Sequence, residues 1–241
     1  ATGSGADTVS GGAQAKAAGL ADSNQINQAI GDGGSAGDDT INAGDGANLV
    51  AGDSQAISDT TADAGGNNIA GLGGTAGSDL ITTGGANDTV SGGAQAVAAA
   101  SATGLQNNQA GAFNGDAQSG DDTINAGEGH NLVAGDAMAI ATDAGGSATA
   151  TSLNTAFPSP GGTASAGDDQ ITVGSGNDSV AGDALAKGDL TSATSNNFAH
   201  AGNTAGSDTL NLGAGANVFG GDSLTIETVG GSTSTANNTA D

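Results

Sequence analysis

The chain has 241 residues but no cysteine, tryptophan or tyrosine, and only four phenylalanines, one methionine and two prolines. Without cysteine there is no disulfide and no thiolate metal site. Without bulky aromatic side chains a thick globular core is excluded, because ordering entropy must be offset by buried apolar area. Lys16 and Lys187 are the only bases apart from two histidines, against 26 acidic residues. Nucleic-acid binding needs clusters of Lys and Arg on phosphates, so that class is excluded, and anionic membrane surfaces are disfavoured for the same reason. No apolar run is long enough for a membrane-spanning helix, which predicts no membrane insertion. No signal peptide is visible and the chain opens at Ala1, so a processed form or a segment of something longer is expected.

What the chain has instead is 46 glycines and a formal charge of -24. Gly, Ser and Asn enrichment with high charge is also the composition of disordered segments. Strict positional order argues against disorder here. GDDTINAGDGANLVAGDSQAI, Gly37 to Ile57, recurs with drift from Gly77, Gly120, Gly167 and Gly206, and a truncated copy spans Gly3 to Lys16. The anchor aspartates Asp39, Asp79, Asp122, Asp169 and Asp208 lie 40, 43, 47 and 39 residues apart. A period of that size implies a stacked array in which each unit is stabilised by its neighbours.

Within each unit, short β-branched stretches alternate with Gly, Asn and Asp turns, as in Thr40–Asn42, Leu49–Ala51 and Ser54–Ser58. They read as strands, too short and too rich in flanking glycine for helices. Aliphatic residues align in columns: Ile41, Ile81, Ile124, Ile171 and Leu210 in one, Val9, Val50, Val90, Val133, Val180 and Phe219 in another. A third column, Ala13, Ser54, Ala94, Ala137, Ala184 and Ser223, is small and implies a thin core there. The rest of each unit varies in length, and a large apolar residue recurs in it: Ile30, Ile69, Phe113, Phe157 and Phe198. These residues suggest a fourth strand or a corner closing each coil. Asn pairs beside them, such as Asn67-Asn68 and Asn107-Asn108, are either stacked amide ladders or ordinary turn residues. The expected architecture is all-β: a right-handed parallel β-solenoid of about 40 residues per coil, six coils in three pairs. It forms one repeat domain over 1–241, with units near 1–36, 37–76, 77–119, 120–166, 167–205 and 206–241.

Stacked in register, the anchor aspartates would sit about one strand spacing apart. Two such charges ~5 Å apart repel by roughly 3 kcal/mol at an effective dielectric of ~20. The carboxylates must splay into water, protonate, or share a cation. More aspartates crowd the same turns: Asp38, Asp121 and Asp168 beside the anchors, then Asp53, Asp136, Asp183 and Asp222. One further slot alternates Asp7, Asp88 and Asp178 with Asn48, Asn131 and Asn217. Hard oxygen donors without a His or Cys cluster select calcium over zinc or copper. The alternative is that Asp and Asn cap turns through backbone amides.

Three stretches, Thr75–Gly93, Gly3–Gly12 and Ser165–Asp183, resemble the RTX, or hemolysin-type, nonapeptide GGxGxDxUx. The resemblance covers the fixed half of all six units and is of the bacterial extracellular adhesin or matrix-fibre type. It implies calcium held between glycine-rich turns by Asp side chains and backbone carbonyls. The motif's Asp slot falls on Asp39, Asp79, Asp122, Asp169 and Asp208, and the next one on Asp7, Asp88 and Asp178. This sequence departs by carrying Asn at three slots, and by a long insertion after every two nonapeptides.

No enzyme is expected. His130 and His200 occupy dissimilar positions without a recurring partner, and the repeated carboxylates describe a lattice rather than one active site. The expected role is an extracellular or cell-surface structural protein, a calcium-stabilised solenoid building a fibre, surface layer or adhesin stalk. Neither end resembles a cap, so its partner would be another copy head to tail or more of the same chain, with a surface or polysaccharide contact left open. The competing reading is the secretion and folding module of a toxin or secreted hydrolase.

Overall fold

The computed structural model describes residues 4–29, 34–71, 74–111, 116–158, 162–200, 204–227 and 232–240. Every regular element among them is a β-strand. The second unit shows the plan: Ser35–Ala36, Thr40–Gly44, Leu49–Ala51, Gln55–Ser58 and Thr61–Ala70. Each strand pairs in parallel with its counterparts one unit before and after, which gives three six-stranded and two five-stranded sheets. The chain is a parallel β-solenoid.

The aliphatic columns are the registers of the first two long-range ladders. Ile41 pairs with Ile81, Ile81 with Ile124, Ile124 with Ile171 and Ile171 with Leu210. Val50, Val90, Val133 and Val180 stack likewise and are fully buried. These two columns face each other in the larger aliphatic cluster of the described residues, and Met138 and Leu185 with Ala134 and Ala181 form a smaller one. Elsewhere the coil is closed by alanine packed on alanine, in two further clusters. Alanine loses no side-chain entropy on burial, so such a thin core is inexpensive to order even though each residue buries little area.

The variable part of each unit holds the longest strand of the coil. These strands are Leu20–Ala29, Thr61–Ala70, Ser101–Gly111, Ser147–Phe157, Leu190–Ala199 and Thr233–Ala240, joined in one sheet. The large apolar residue of this region does not close the coil. Ile69, Phe157 and Phe198 lie on the outward side of the alternation, while Ile30 and Phe113 fall outside the described residues. Inward stand Asn68, Asn108, Asn154 and Asn197, linked by Nδ2–H donation to the Oδ1 of the next coil at 3.0, 3.0, 3.0 and 3.2 Å. Asn27 enters the same amide ladder at 2.9 Å. A large residue has no room there. The turn glycines Gly37, Gly77, Gly120, Gly167 and Gly206 run with φ from 64 to 75°. A Cβ on Gly77 or Gly120 would sit 2.2 Å from the Oδ1 of Asn108 or Asn154. These glycines are fixed both by left-handed backbone and by the ladder pressed against them.

Candidate metal centre

The turn that opens the second to sixth units, Gly-Asp-Asp or Gly-Ser-Asp, places its anchor carboxylate inside the coil. Asp79, Asp122 and Asp169 are buried, and each Oδ1 accepts the backbone N–H of the equivalent aspartate one coil earlier, at 2.6, 2.6 and 2.7 Å. Asp208 accepts from Asp169 at 3.0 Å. The second oxygens of Asp79, Asp122, Asp169 and Asp208 are buried without a hydrogen-bond partner. Each lies against a glycine: a Cβ added to Gly52, Gly92, Gly135 or Gly182 would come within 1.9 Å of it. An ionised oxygen left bare in a protein interior costs several kcal/mol unless a proton or cation meets it.

The Asp7/Asp88/Asp178 slot repeats this ladder with Asn in alternate coils, and the second oxygens of Asp7 and Asp178 are likewise buried without a hydrogen-bond partner. Asn48 N–H donates to Asp88 Oδ1 at 2.8 Å, Asp88 N–H to Asn131 Oδ1 at 3.0 Å, and Asn131 N–H to Asp178 Oδ1 at 2.8 Å. Asp and Asn present the same acceptor here, and their alternation keeps like charges two coils apart. The Asn amides add bonds to turn carbonyls, as from Asn48 to Gly46 at 2.8 Å. The second oxygen of Asp88 is taken by Thr83 Oγ1 at 2.6 Å. Asp38, Asp121 and Asp168 lie nearer the surface and receive backbone N–H groups of Ser78, Asp168 and Ser207. His130 belongs to a similar turn ladder: its Nδ1 accepts Asn177 N–H at 2.7 Å.

The fourth set meets the anchors from across the coil. Asp53 accepts from Asn68 at 2.8 Å and Gln106 at 2.6 Å. Asp136 accepts from Asn108, Ser152 and Asn154 at 3.0, 2.8 and 2.8 Å. Asp183 accepts from Ser195 and Asn197 at 2.9 and 3.2 Å. Among the described residues, two groups of carboxylates converge. Asp136, Asp169 and Asp183 offer oxygens all within 4.8 Å of one another, and so do Asp183, Asp208 and Asp222. The remaining anticipated ligands, Asp7, Asp38, Asp39, Asp53, Asp79, Asp88, Asp121, Asp122, Asp168 and Asp178, lie outside these two groups.

Burial drives the carboxyls of Asp79, Asp122, Asp169 and Asp183 well above their ordinary range. Neighbouring carboxylates add to it: Asp53 beside Asp79, Asp79 beside Asp122, and Asp136 beside both Asp169 and Asp183. Burial lifts Asp208 to about 8 and Asp53 to about 7, and Asp136 to about 6 against the pull of its Asn154 and Ser152 donors. Among the described residues no lysine is bonded to these carboxylates: Lys16 and Lys187 stand on the Gln14–Ala17 and Ala184–Gly188 strands, and the donors to Asp136 and Asp183 are Asn and Ser. The donor set is all hard oxygen, with buried unpartnered atoms aimed at it, and it fits calcium. Asp136, Asp169, Asp183, Asp208 and Asp222 are the residues that would hold it. A bound divalent ion supplies the counter-charge that lets those carboxylates stay ionised.

A parallel β-solenoid with carboxylate ladders running through its turns is a calcium-dependent repeat architecture. The model of the RTX calcium-binding nonapeptide repeat (4 copies) matches residues 1–15, 34–56, 61–96, 116–137, 163–184 and 204–223, more than half of the chain. The chain belongs to this family. Repeats of the family bind calcium and are typical of secreted bacterial proteins. No curated protein and no solved structure matches the chain.

The paired groups were not visible in the repeat alignment, because their members come from opposite walls of the coil. One signal does mark them. Where the slot of Asp53 carries glycine, at Gly12 and Gly93, the facing inward position of the long strand carries Gln25 and Gln106. Where it carries Asp136 and Asp183, the facing position is Ser152 and Ser195. Gln106 fills the volume a carboxylate would take: a Cβ on Gly93 would lie 2.5 Å from its Cδ.

Proposed function

We propose that the chain is a structural segment of a secreted bacterial protein, a calcium-braced solenoid that extends by stacking into a fibre, surface layer or adhesin stalk. The observation that carries this reading is the repetition of one layer through the described stack: in all five sheets the strands pair in parallel from coil to coil, and the valine column and the Asn ladder run through them in register. Stacked layers of this kind present strand edges that template further pairing. In this reading the chain is not an enzyme: its carboxylates repeat from coil to coil, and His130 is spent on a turn ladder.

Electron microscopy and fibre diffraction of the protein in millimolar calcium test the proposal. Filaments with a reflection near ~4.8 Å along their axis are expected. Particles that remain single in excess calcium, and fold only as calcium is added, would support the secretion and folding module instead.

A further inference from the structure

The outward side of the long sheet differs from the rest of this acidic molecule. Its strands carry only two charged residues, Asp22 and Asp63, of the 26 acids in the chain. They are neighbours at one corner, paired in register. The remaining outward positions are Thr, Ser, Asn, Gln and Gly, together with large apolar side chains. Ile26 is 69 % exposed, Leu105 46 % and Leu153 39 %. At the far corner Phe157, Phe198 and His200 contact one another, with ring centroids 5.8 and 6.4 Å apart. A flat, nearly uncharged surface with apolar and aromatic anchors is the composition of an interface, not of a solvated face.

We propose that this face is a lateral docking surface for a second copy of the same chain, the two long sheets packing face to face. Its size matches. Ten-residue strands of ~33 Å, stacked six deep at ~4.8 Å, give roughly 800 Å². That is about one partner's share of a standard stable interface. Charge distribution also selects a self-partner. A chain of charge -24 can approach its own copy only through a face that carries almost none of that charge. Either twofold axis lying in the plane of the face keeps the acids apart. With the axis along the stack, Asp22 and Asp63 meet positions near Gln28 and Ile69; with the axis along the strands, they meet positions near Thr233 and Ser192. The resulting object is a double sheet, with a buried layer ~10 Å thick between solenoids.

The lateral contact does not depend on end-to-end stacking, and the test separates the two. Sedimentation and small-angle scattering in millimolar calcium are compared for the unmodified protein, for Leu105→Glu/Leu153→Glu, and for Leu80→Glu. Leu80 is 48 % exposed on a different sheet and serves as the control. The proposal expects a twofold mass with a widened cross-section for the unmodified protein and for Leu80→Glu. It expects the double variant to return to a single-solenoid cross-section with unchanged circular dichroism and melting. A single-width unmodified protein, or a double variant that keeps the wide cross-section, overturns the lateral contact. So does equal loss of width in Leu80→Glu. Growth in length at constant single width also overturns it while leaving the fibre reading intact, and widening without growth in length does the reverse.

Discussion

The two halves of the solenoid share one backbone plan and differ in how they handle the charge inside it. In the N-terminal half, Asp53 is the single Asp in its stretch of the column, flanked by Gly12 and Gly93, bonded by Gln25, Asn68 and Gln106, and faced by Asp79. In the C-terminal half, Asp136, Asp183 and Asp222 follow one another in successive coils and meet Asp169 and Asp208. The first arrangement gives a single column carboxylate several amide donors, although burial still lifts its carboxyl to about 7. The second gathers more negative charge than its Asn and Ser donors can answer, so it requires a cation or protons. The lesson is that a repeat can be uniform in its hydrogen-bond ladder and graded in its metal demand.

The internal charge of both halves responds most strongly to pH. The raised carboxyls hold protons in the calcium-free fold that the unfolded chain has lost above its ordinary carboxylate range. The native state then binds more protons, so stability falls as pH rises. Calcium-free protein is expected to be most stable near pH 4 and to lose stability progressively through about 6 to 8, the range of Asp136, Asp53 and Asp208. Saturating calcium should replace those protons and flatten the decline. Thermal melts at fixed ionic strength, with and without calcium, read this directly. A calcium-free melting temperature that rises between pH 5 and 8 would contradict the internal placement of the charge.

Converting one half into the other gives a smaller effect. Gly93→Asp alone forces a side chain into Gln106 and should destabilise by about 1–3 kcal/mol, as overpacking does. Adding Gln106→Ser recreates the Asp136/Ser152 pairing and should restore stability only when calcium is present, with a gain in bound calcium measured by elemental analysis. Recovery in chelator as well would mean that space alone, not charge, separates the halves.

The smallest effect is expected at the alternating slot. Asp88→Asn keeps the Oδ1 acceptor that Asn48 N–H uses, so it should change stability by no more than ~0.5 kcal/mol and leave bound calcium unchanged. A clear loss of calcium would return that slot to the metal sites.

Much of the fold was legible because its columns are chemically loud: Ile stacks on Ile and Val on Val, and the repeat fixes the register. The long sheet was quieter. Its inward residues are Ala, Ser, Gln and Asn, which carry little strand signal, and its large residues face outward, the opposite of the usual inference from bulk. The Asn pairs read equally as amide ladders or as turn residues; one member of each pair faces in and forms the ladder. The Asp-rich composition pointed to calcium. It could not show which carboxylates converge, since each triad joins residues from facing walls and from two coils, up to 47 positions apart. The pairing of Gly12 and Gly93 with Gln, and of Asp136 and Asp183 with Ser, was present in the repeats, with Gly66 and Ala236 at the same position in the Asp53 and Asp222 coils, and becomes meaningful once those positions are known to touch.

The most direct test of a graded metal demand is hydrogen exchange, resolved along the chain, at pH 7.5 with calcium and with chelator. The account predicts that chelation accelerates exchange first and most in Ala137–Ala141, Ala184–Gly188 and Ser223–Glu227, the strands that follow Asp136, Asp183 and Asp222. Gln55–Ser58 and Gln95–Ala98 should keep more of their protection. Equal acceleration in both halves, or none in either, would contradict it.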